Sequence, residues 1–518
     1  MKTIFTFLVL ILILSNNVFA KCTLTTSQQE CLHNARMLVK HNHYPEAMQS
    51  YNKILARVHN NLALVREVEH TCRQCRRGDK NYCQTLEHIA AAYNCMEYRY
   101  TALIYYKKLL KKYPNSIKYR FAIADTYFHL HRYCEAERFY RSILKISPNN
   151  RDALVSIART YNFRGKQRLA IKTYKKLLLK WPNDTEIRRE LAYAYYWAGF
   201  DEIALARLKT IPGCDARCLA KNIQQGLAPQ IYFDHNQSYD KDKLDIRSTQ
   251  VNIDLPINNI DRAYVYANKS ILKQLGQRIS ANVFMLGARG RLGTPDSKLG
   301  VIWPAAYLGM HKYGDWDTFA WRVKAKWLPA DLWRVDIDAR NNPIDTISAI
   351  QNKIMYKYIS GGVDFNFHPR AVLVVGGSYG KFSDGNLRER LTAKILCQIF
   401  LCPRVQIGAS TLHMRNSLPD LGTGYYDPKE YTENKALINA SHEILGWIIR
   451  AEGSYGKFRE NPGTKGPIYA YEASVGKNFG KYGRISLGGG RSRSTVDNLV
   501  SGGGYWRKYL FLRYHLVI

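Results

Sequence analysis

Past Leu14 the sequence has no run of about 18 uncharged apolar residues, so it offers nothing that could cross a bilayer as a helix. It is also short of negative charge: 42 Asp and Glu stand against 76 Lys and Arg, a formal charge of +34. A surplus of this size selects anionic partners, because a polyanion gains from every part of the field. Catalytic signatures are missing too. There is no Gly-x-Ser-x-Gly and no His-Glu-x-x-His, and His311, His368, His413, His442 and His515 are scattered along the chain. These absences point away from an enzyme and imply no cofactor and no metal.

What is present begins with Met1-Lys2-Thr3, an apolar stretch from Ile4 to Leu14, and Val18-Phe19-Ala20. The apolar run is about 11 residues, against roughly 20 for a spanning helix, so residues 1–20 read as a cleaved signal peptide and Lys21 as the mature start. A lipoprotein reading at Cys22 is disfavoured because Lys21 stands where a lipid-attachment motif takes a small residue. For an exported protein, the partner implied by the charge is an acidic polysaccharide or lipopolysaccharide rather than nucleic acid.

Internal periodicity is the strongest signal. Pro114, Pro148 and Pro182 stand 34 residues apart, the tetratricopeptide period. Ala90, Ala124 and Ala158 keep the same step, followed by Tyr93, Tyr127 and Tyr161; Ala102, Ala136 and Ala170 precede Tyr106, Tyr140 and Tyr174. Small residues facing large ones allow two antiparallel helices to pack closely. A further copy runs from Thr185 to Pro212 with Leu191, Ala192, Tyr195, Gly199 and Ala204, and an earlier one from about Gln28 to Leu55 with Ala47, Tyr51 and Ile54. These residues resemble tetratricopeptide repeats, although the position after each proline is not the usual tryptophan. The array is expected over 21–225, interrupted by an insertion or degenerate repeat near 56–82. Arrays of this kind bind proteins or extended polymers.

Of the 11 cysteines, Cys72, Cys75, Cys83, Cys214, Cys218, Cys397 and Cys402 are disulfide candidates, since an oxidising periplasm pairs thiols. Cys214 with Cys218 and Cys397 with Cys402 are close enough for local loops. In Cys72-Arg73-Gln74-Cys75, Arg76 occupies the place where haem attachment needs histidine, and no Cys/His pair at finger spacing accompanies it.

From about Gly226 the pattern changes to alternating segments of about 9–14 residues parted by Gly, Pro, Asn and Asp. Phe319, Trp321, Val323, Ala325 and Trp327 point one way, and Arg322, Lys324 and Lys326 the other. Leu387 to Ile395 alternates likewise, with Glu389 as an exception on the apolar face, and so does Trp447 to Tyr455. One face suits lipid and the other water. The hexamer Gly-Ser-Tyr-Gly-Lys-Phe occurs at Gly377–Phe382 and again at Gly453–Phe458, suggesting equivalent hairpin exits with girdle aromatics. Leu510, Leu512, Tyr514, Leu516 and Ile518 share one face of a last segment that resembles the insertion signal of outer-membrane barrels, with Ile518 where an aromatic is usual. The expectation is a multidomain chain: an all-α tetratricopeptide superhelix, then an antiparallel transmembrane β-barrel over 226–518 with about 16 strands.

A signal peptide, a tetratricopeptide array and a terminal barrel in this order resemble outer-membrane components of exopolysaccharide secretion, of the poly-N-acetylglucosamine and cellulose exporter type, and the YaiO-type barrels. The resemblance implies a conduit in the outer membrane, with repeats in the periplasm that guide polymer or dock periplasmic or inner-membrane secretion proteins. Arg322, Lys324, Lys326, Arg334, Arg340, Arg388, Arg390, Lys394, Arg450 and Arg513 are the candidate lumen and polymer contacts, and their charge suggests an anionic glycan. Asp336, Asp338, Glu452 and Glu472 are available to pair with them and merely brace the wall. The alternative is an anchored scaffold or surface receptor with a plugged barrel.

Overall fold

The computed structural model describes residues 25–74, 80–419, 421–461, 463–480, 483–493 and 506–518; the signal-peptide segment, Cys22 and Cys75 lie outside them. Twelve described helices precede the barrel: α1 Thr26–Lys40, α2 Tyr44–Leu55, α3 Leu62–Gln74, α4 Lys80–Cys95, α5 Arg99–Lys112, α6 Ile117–His129, α7 Tyr133–Ile146, α8 Arg151–Phe163, α9 Gln167–Lys180, α10 Thr185–Trp197, α11 Asp201–Leu208 and α12 Cys214–Leu227. The chain divides into two compact units. One runs to Arg164 and includes Thr173–Ile187; the other holds Gly165–Lys172 and Arg188–Ile518.

The period of 34 residues has a local cause. Each of Pro114, Pro148 and Pro182 cannot continue a helix, and two residues later a capping side chain starts the next. Ser116 accepts from the Tyr119 amide at 3.3 Å, Asn150 from Ala153 at 2.9 Å and Asp184 from Ile187 at 3.1 Å. Between these punctuation marks the alanines named above are fully buried, and Tyr106, Tyr140 and Tyr174 pack beside them. Within the segment 56–82, Leu62–Gln74 form α3, whose Leu64, Val65, Val68 and Cys72 join the helical core. Two carboxylates tie α3 to its neighbours. Glu67 accepts two bonds from Arg36 at 2.8 Å and one from Tyr51 at 2.7 Å, while Glu69 accepts from Tyr93 at 2.6 Å and Tyr105 at 2.5 Å.

The expected local disulfides do not form. Cys31, Cys83, Cys95, Cys134, Cys214, Cys218, Cys397 and Cys402 are free thiols. Cys214 and Cys218 lie one turn apart on α12, where helical geometry holds both side chains outward. Cys72 is buried in the helical core.

Sixteen antiparallel strands close into a barrel, each pairing with its sequence neighbour and β1 pairing with β16. They are β1 Gln230–Asp240, β2 Asp245–Pro256, β3 Arg262–Gln274, β4 Gln277–Arg289, β5 Val301–Tyr313, β6 Trp316–Ala330, β7 Trp333–Pro343, β8 Met355–His368, β9 Ala371–Phe382, β10 Leu387–Leu401, β11 Arg404–Asn416, β12 Glu430–Ile444, β13 Trp447–Asn461, β14 Lys465–Asn478, β15 Arg484–Ser492 and β16 Arg507–Val517. The wall thus begins at Gln230, a few residues after the expected boundary. Closure runs from Gln230 opposite Val517 to Asp240 opposite Arg507, and it removes every free edge. We call the end holding Gln230 and Val517 the near end, and the opposite one the far end. Phe319, Val323, Leu391, Tyr455 and Leu510 are each more than half exposed on the outward face. That is the parity of period-two alternation with apolar residues outside.

Candidate functional site: the lumen and its far mouth

The ten basic residues expected in the lumen all lie on the strand parity opposite to the exposed apolar residues, so alternation turns them inward. Their surroundings divide them. Arg322 is paired with Asp338, Arg334 with Asp336 at 2.5 Å and Asp364 at 3.4 Å, and Arg513 with Asp234 at 2.9 Å. These three brace the wall. Arg388 must be withdrawn as a polymer contact. It is fully buried, donates to Asn416 at 2.8 Å and to the Tyr426 carbonyl, and lies over the rings of Phe382 and Tyr425.

The other six, Lys324, Lys326, Arg340, Arg390, Lys394 and Arg450, are in no ion pair among the described residues, although Asp338 and Asp336 stand opposite Lys324 and Lys326 on the next strand. Three lie against aromatic rings: Lys324 at 5.8 Å from Tyr307, Lys326 at 5.3 Å from Trp303 and Arg340 at 4.8 Å from Tyr358. The sequence reading missed those rings. It also missed Arg262 and Arg289, which line a near-end chamber of about 580 Å³ with Lys324, Lys326, Trp303 and Tyr307. Arg262 is buried there, paired with Asp254 and donating to the Leu227 and Ala228 carbonyls at 3.1 and 2.9 Å, so it fixes the start of the wall. Within the same unit, Arg291 grips Glu202 at 3.0 Å and Arg168 donates to the Pro295 and Pro329 carbonyls at 3.0 and 2.8 Å.

Further along the bore lies a polar cavity of about 680 Å³ whose lining includes Asp234, Asn236, Gln250, Asn268, Tyr358 and Arg390. Hydroxyls, amides and a few charges of both signs face it, a surface able to exchange hydrogen bonds with a hydrated chain.

Among the described residues, two inter-strand segments close in at the far mouth. The segment between β7 and β8 carries a short helix, α13 Ile347–Gln351, capped by Thr346, whose hydroxyl accepts from Ala349 at 3.1 Å. Its Ile347 and Ile350 pack with Leu272, Ala281 and Tyr313, inward residues of β3, β4 and β5. Its Ile344, Ala349 and Ile354 pack with Tyr356, Phe382 and Tyr425. The segment between β11 and β12 enters from the other side, with Tyr426 seated among Leu412, Met414, Tyr431 and Phe458. The two meet where Thr346 donates to the Gly424 carbonyl at 2.6 Å and Asn352 to that of Thr423 at 3.2 Å. Gly424 has φ +99°, and a Cβ there would stand 2.6 Å from the Ala349 nitrogen, so only glycine fits the crossing. Asp384 anchors the second segment by accepting from Thr423 at 2.9 Å and Tyr425 at 2.8 Å.

The repeated hexamers both run toward the far mouth, the first ending at the last residue of β9 and the second three residues short of the end of β13. Tyr379 and Tyr455 face outward, but Phe382 and Phe458 turn in and support the two closing segments. The signal for the first segment was present: Ile344, Ile347, Ile350 and Ile354 recur at helical spacing where a hairpin loop would be polar.

Among known proteins, the tetratricopeptide-repeat family matches residues 152–184. No curated protein matches the chain. Similar solved structures include a "Bacterial polysaccharide outer membrane secretin", 12% identical over 56% of this chain and 99% of that one, with a TM-score of 0.47. A tetratricopeptide repeat protein from Parabacteroides merdae is 20% identical over 39% of this chain and 87% of its own, with a TM-score of 0.28. The chain therefore joins a tetratricopeptide repeat at 152–184, within a helical array, to a closed antiparallel barrel of 16 strands.

Proposed function

We propose that this chain is an outer-membrane conduit for an anionic polysaccharide, with its helical repeats in the periplasm guiding the polymer or docking secretion partners. The observation that carries the reading is the set of six inward basic residues outside any ion pair, three of them beside aromatic rings, in a bore that also presents hydroxyls, amides and a few charges of both signs. Ammonium and guanidinium groups attract carboxylate or sulfate on a sugar, and rings stack on its apolar faces. Many weak sites in series allow passage where one tight site would stall it.

The test is single-channel conductance of the purified protein in a planar bilayer, with selectivity taken from the reversal potential in a salt gradient. Anion selectivity and block by acidic oligosaccharides are expected, and both should weaken in Lys324→Glu/Lys326→Glu/Arg390→Glu. Selectivity that ignores this triple change would sink the conduit reading.

The contact of Thr346 with Gly424 favours a second reading, in which the barrel is sealed and anchors the repeats as a scaffold. A channel that stays silent even when this contact is broken would favour the scaffold.

A further inference from the structure

The outward face of the barrel differs between its two ends. Near-end outward positions carry Trp327, Trp333, Phe365, Phe367 and Trp447, and the rings of Trp333 and Phe365 stack at 4.3 Å. At the far end, like charges stand directly opposite each other on neighbouring strands: Lys273 with Arg278, Lys357 with Lys381, and Arg459 with Lys465. All six are exposed, and none is in an ion pair among the described residues. Asp245, across from Lys273, is engaged by Arg247 at 3.3 Å. Like charges facing each other across a ladder repel, and basic side chains on the lipid face are tolerated only near an interface. Each such pair at this rim is relieved by an anion of more than one charge in the neighbouring layer.

One pair stands above a shaped groove. Moving inward from Lys357 and Lys381, the next outward pairs are Ile359 with Tyr379 and then Gly361 with Gly377. The two missing side chains leave a depression of about 690 Å³ walled by Ile337, Ile359, Tyr379 and Leu391, with Arg415 at its margin. A Cβ on Gly361 would meet nothing closer than 4.0 Å, so backbone crowding does not demand glycine there. Glu389 stands opposite Arg415, which leaves the two lysines as the uncompensated charge.

We infer that this groove, with Lys357 and Lys381 above it, forms a binding site for a phosphorylated, multiply acylated glycolipid of the outer leaflet. One acyl chain lies along Gly361 and Gly377, and the phosphates bridge the facing lysines. The site rests on the outer-membrane reading above, which puts the far end at the outer leaflet, and it assigns part of the +34 surplus to the membrane rather than to the cargo.

The test titrates diphosphoryl lipid A onto the full-length protein in zwitterionic detergent and counts adducts by native mass spectrometry. Dephosphorylated lipid and inorganic phosphate serve as competitors. Lys357→Gln/Lys381→Gln should bind about 30-fold more weakly. Gly361→Val, which fills the groove and keeps every charge, should also weaken binding, and Lys477→Gln on the outward face of the near end should not. Equal affinity in the lysine double variant and the wild type would overturn the site, as would displacement of the lipid by inorganic phosphate. If the double variant fails to show heat-modifiable folding, Gly361→Val decides alone. Conductance and membrane fractionation are read separately, so the lipid site can fail while the conduit stands, and the reverse.

Discussion

Thr346 and Gly424 belong to different inter-strand segments, 78 residues apart, yet the Thr346 hydroxyl donates to the Gly424 carbonyl at 2.6 Å, and the far mouth of the barrel is bridged there. The same hydroxyl caps α13. Thr346→Val removes both interactions, a loss on the order of 1–2 kcal/mol. Open events in a planar bilayer should then become roughly tenfold more frequent, and Gly424→Val should open the mouth further because its side chain collides with Ala349. Unchanged open probability in both variants would show that this contact does not hold the channel shut.

The paired and unpaired basic residues should separate in function. Arg322→Gln/Asp338→Asn removes a complete ion pair and is expected to leave ion selectivity unchanged. Lys324→Gln/Lys326→Gln removes charge that no ion pair takes up and should lower anion preference. Reversal potentials of the two double variants, measured side by side, make the comparison.

Glu67 and Glu69 hold α3 between two helical hairpins, so Glu67→Gln/Glu69→Gln should destabilise the array by on the order of 2–3 kcal/mol, since each carboxylate accepts charge-assisted bonds. Thermal melting of helical circular dichroism reads this. A melting point equal to the wild type would mean that apolar packing alone fixes α3.

Acid should weaken the same array. The hydrogen bond from Arg36 holds the Glu67 carboxyl below its ordinary range, and that from Arg151 does the same for Asp184. With the folded values depressed, the stability these groups add is complete above the unfolded carboxylate range, about pH 4. It is lost as pH falls through the lower folded values. Helical melting points should therefore drop on acidification below about pH 4, and the drop should shrink in Glu67→Gln/Asp184→Asn.

Cys214 and Cys218 are exposed thiols one helical turn apart. Both should react with maleimide in the unreduced protein, and mass spectrometry would count the additions. Protection that reductant reverses would restore the local disulfide expected from their spacing.

Much of the fold is legible locally. The step from Pro114 to Pro148 to Pro182 marks helix ends, and the caps at Ser116, Asn150 and Asp184 repeat with it, because a helix begins and stops on its own few residues. The inward parity of Arg322, Lys324 and Lys326 is legible for a similar reason, since side chains alternate along any strand. Whether such a residue is paired is not, because Arg513 finds Asp234 only when the last strand closes on the first. Arg388 reads as a lumen residue by parity and becomes a buried strut because Tyr425 and Tyr426 return from another segment.

By itself, then, the sequence determined the repeat period, the change from helix to strand after Gly226, the number of strands and the face each charge would take. These follow from backbone periodicities of 3.6 and 2 residues, which need no distant partner. The tertiary structure alone decided which arginines are neutralised, how α3 is held, that Thr346 meets Gly424 across the mouth, and that Lys357 faces Lys381 above a glycine groove. Each depends on bringing together residues far apart in the chain, and register and closure set that distance where local pattern cannot.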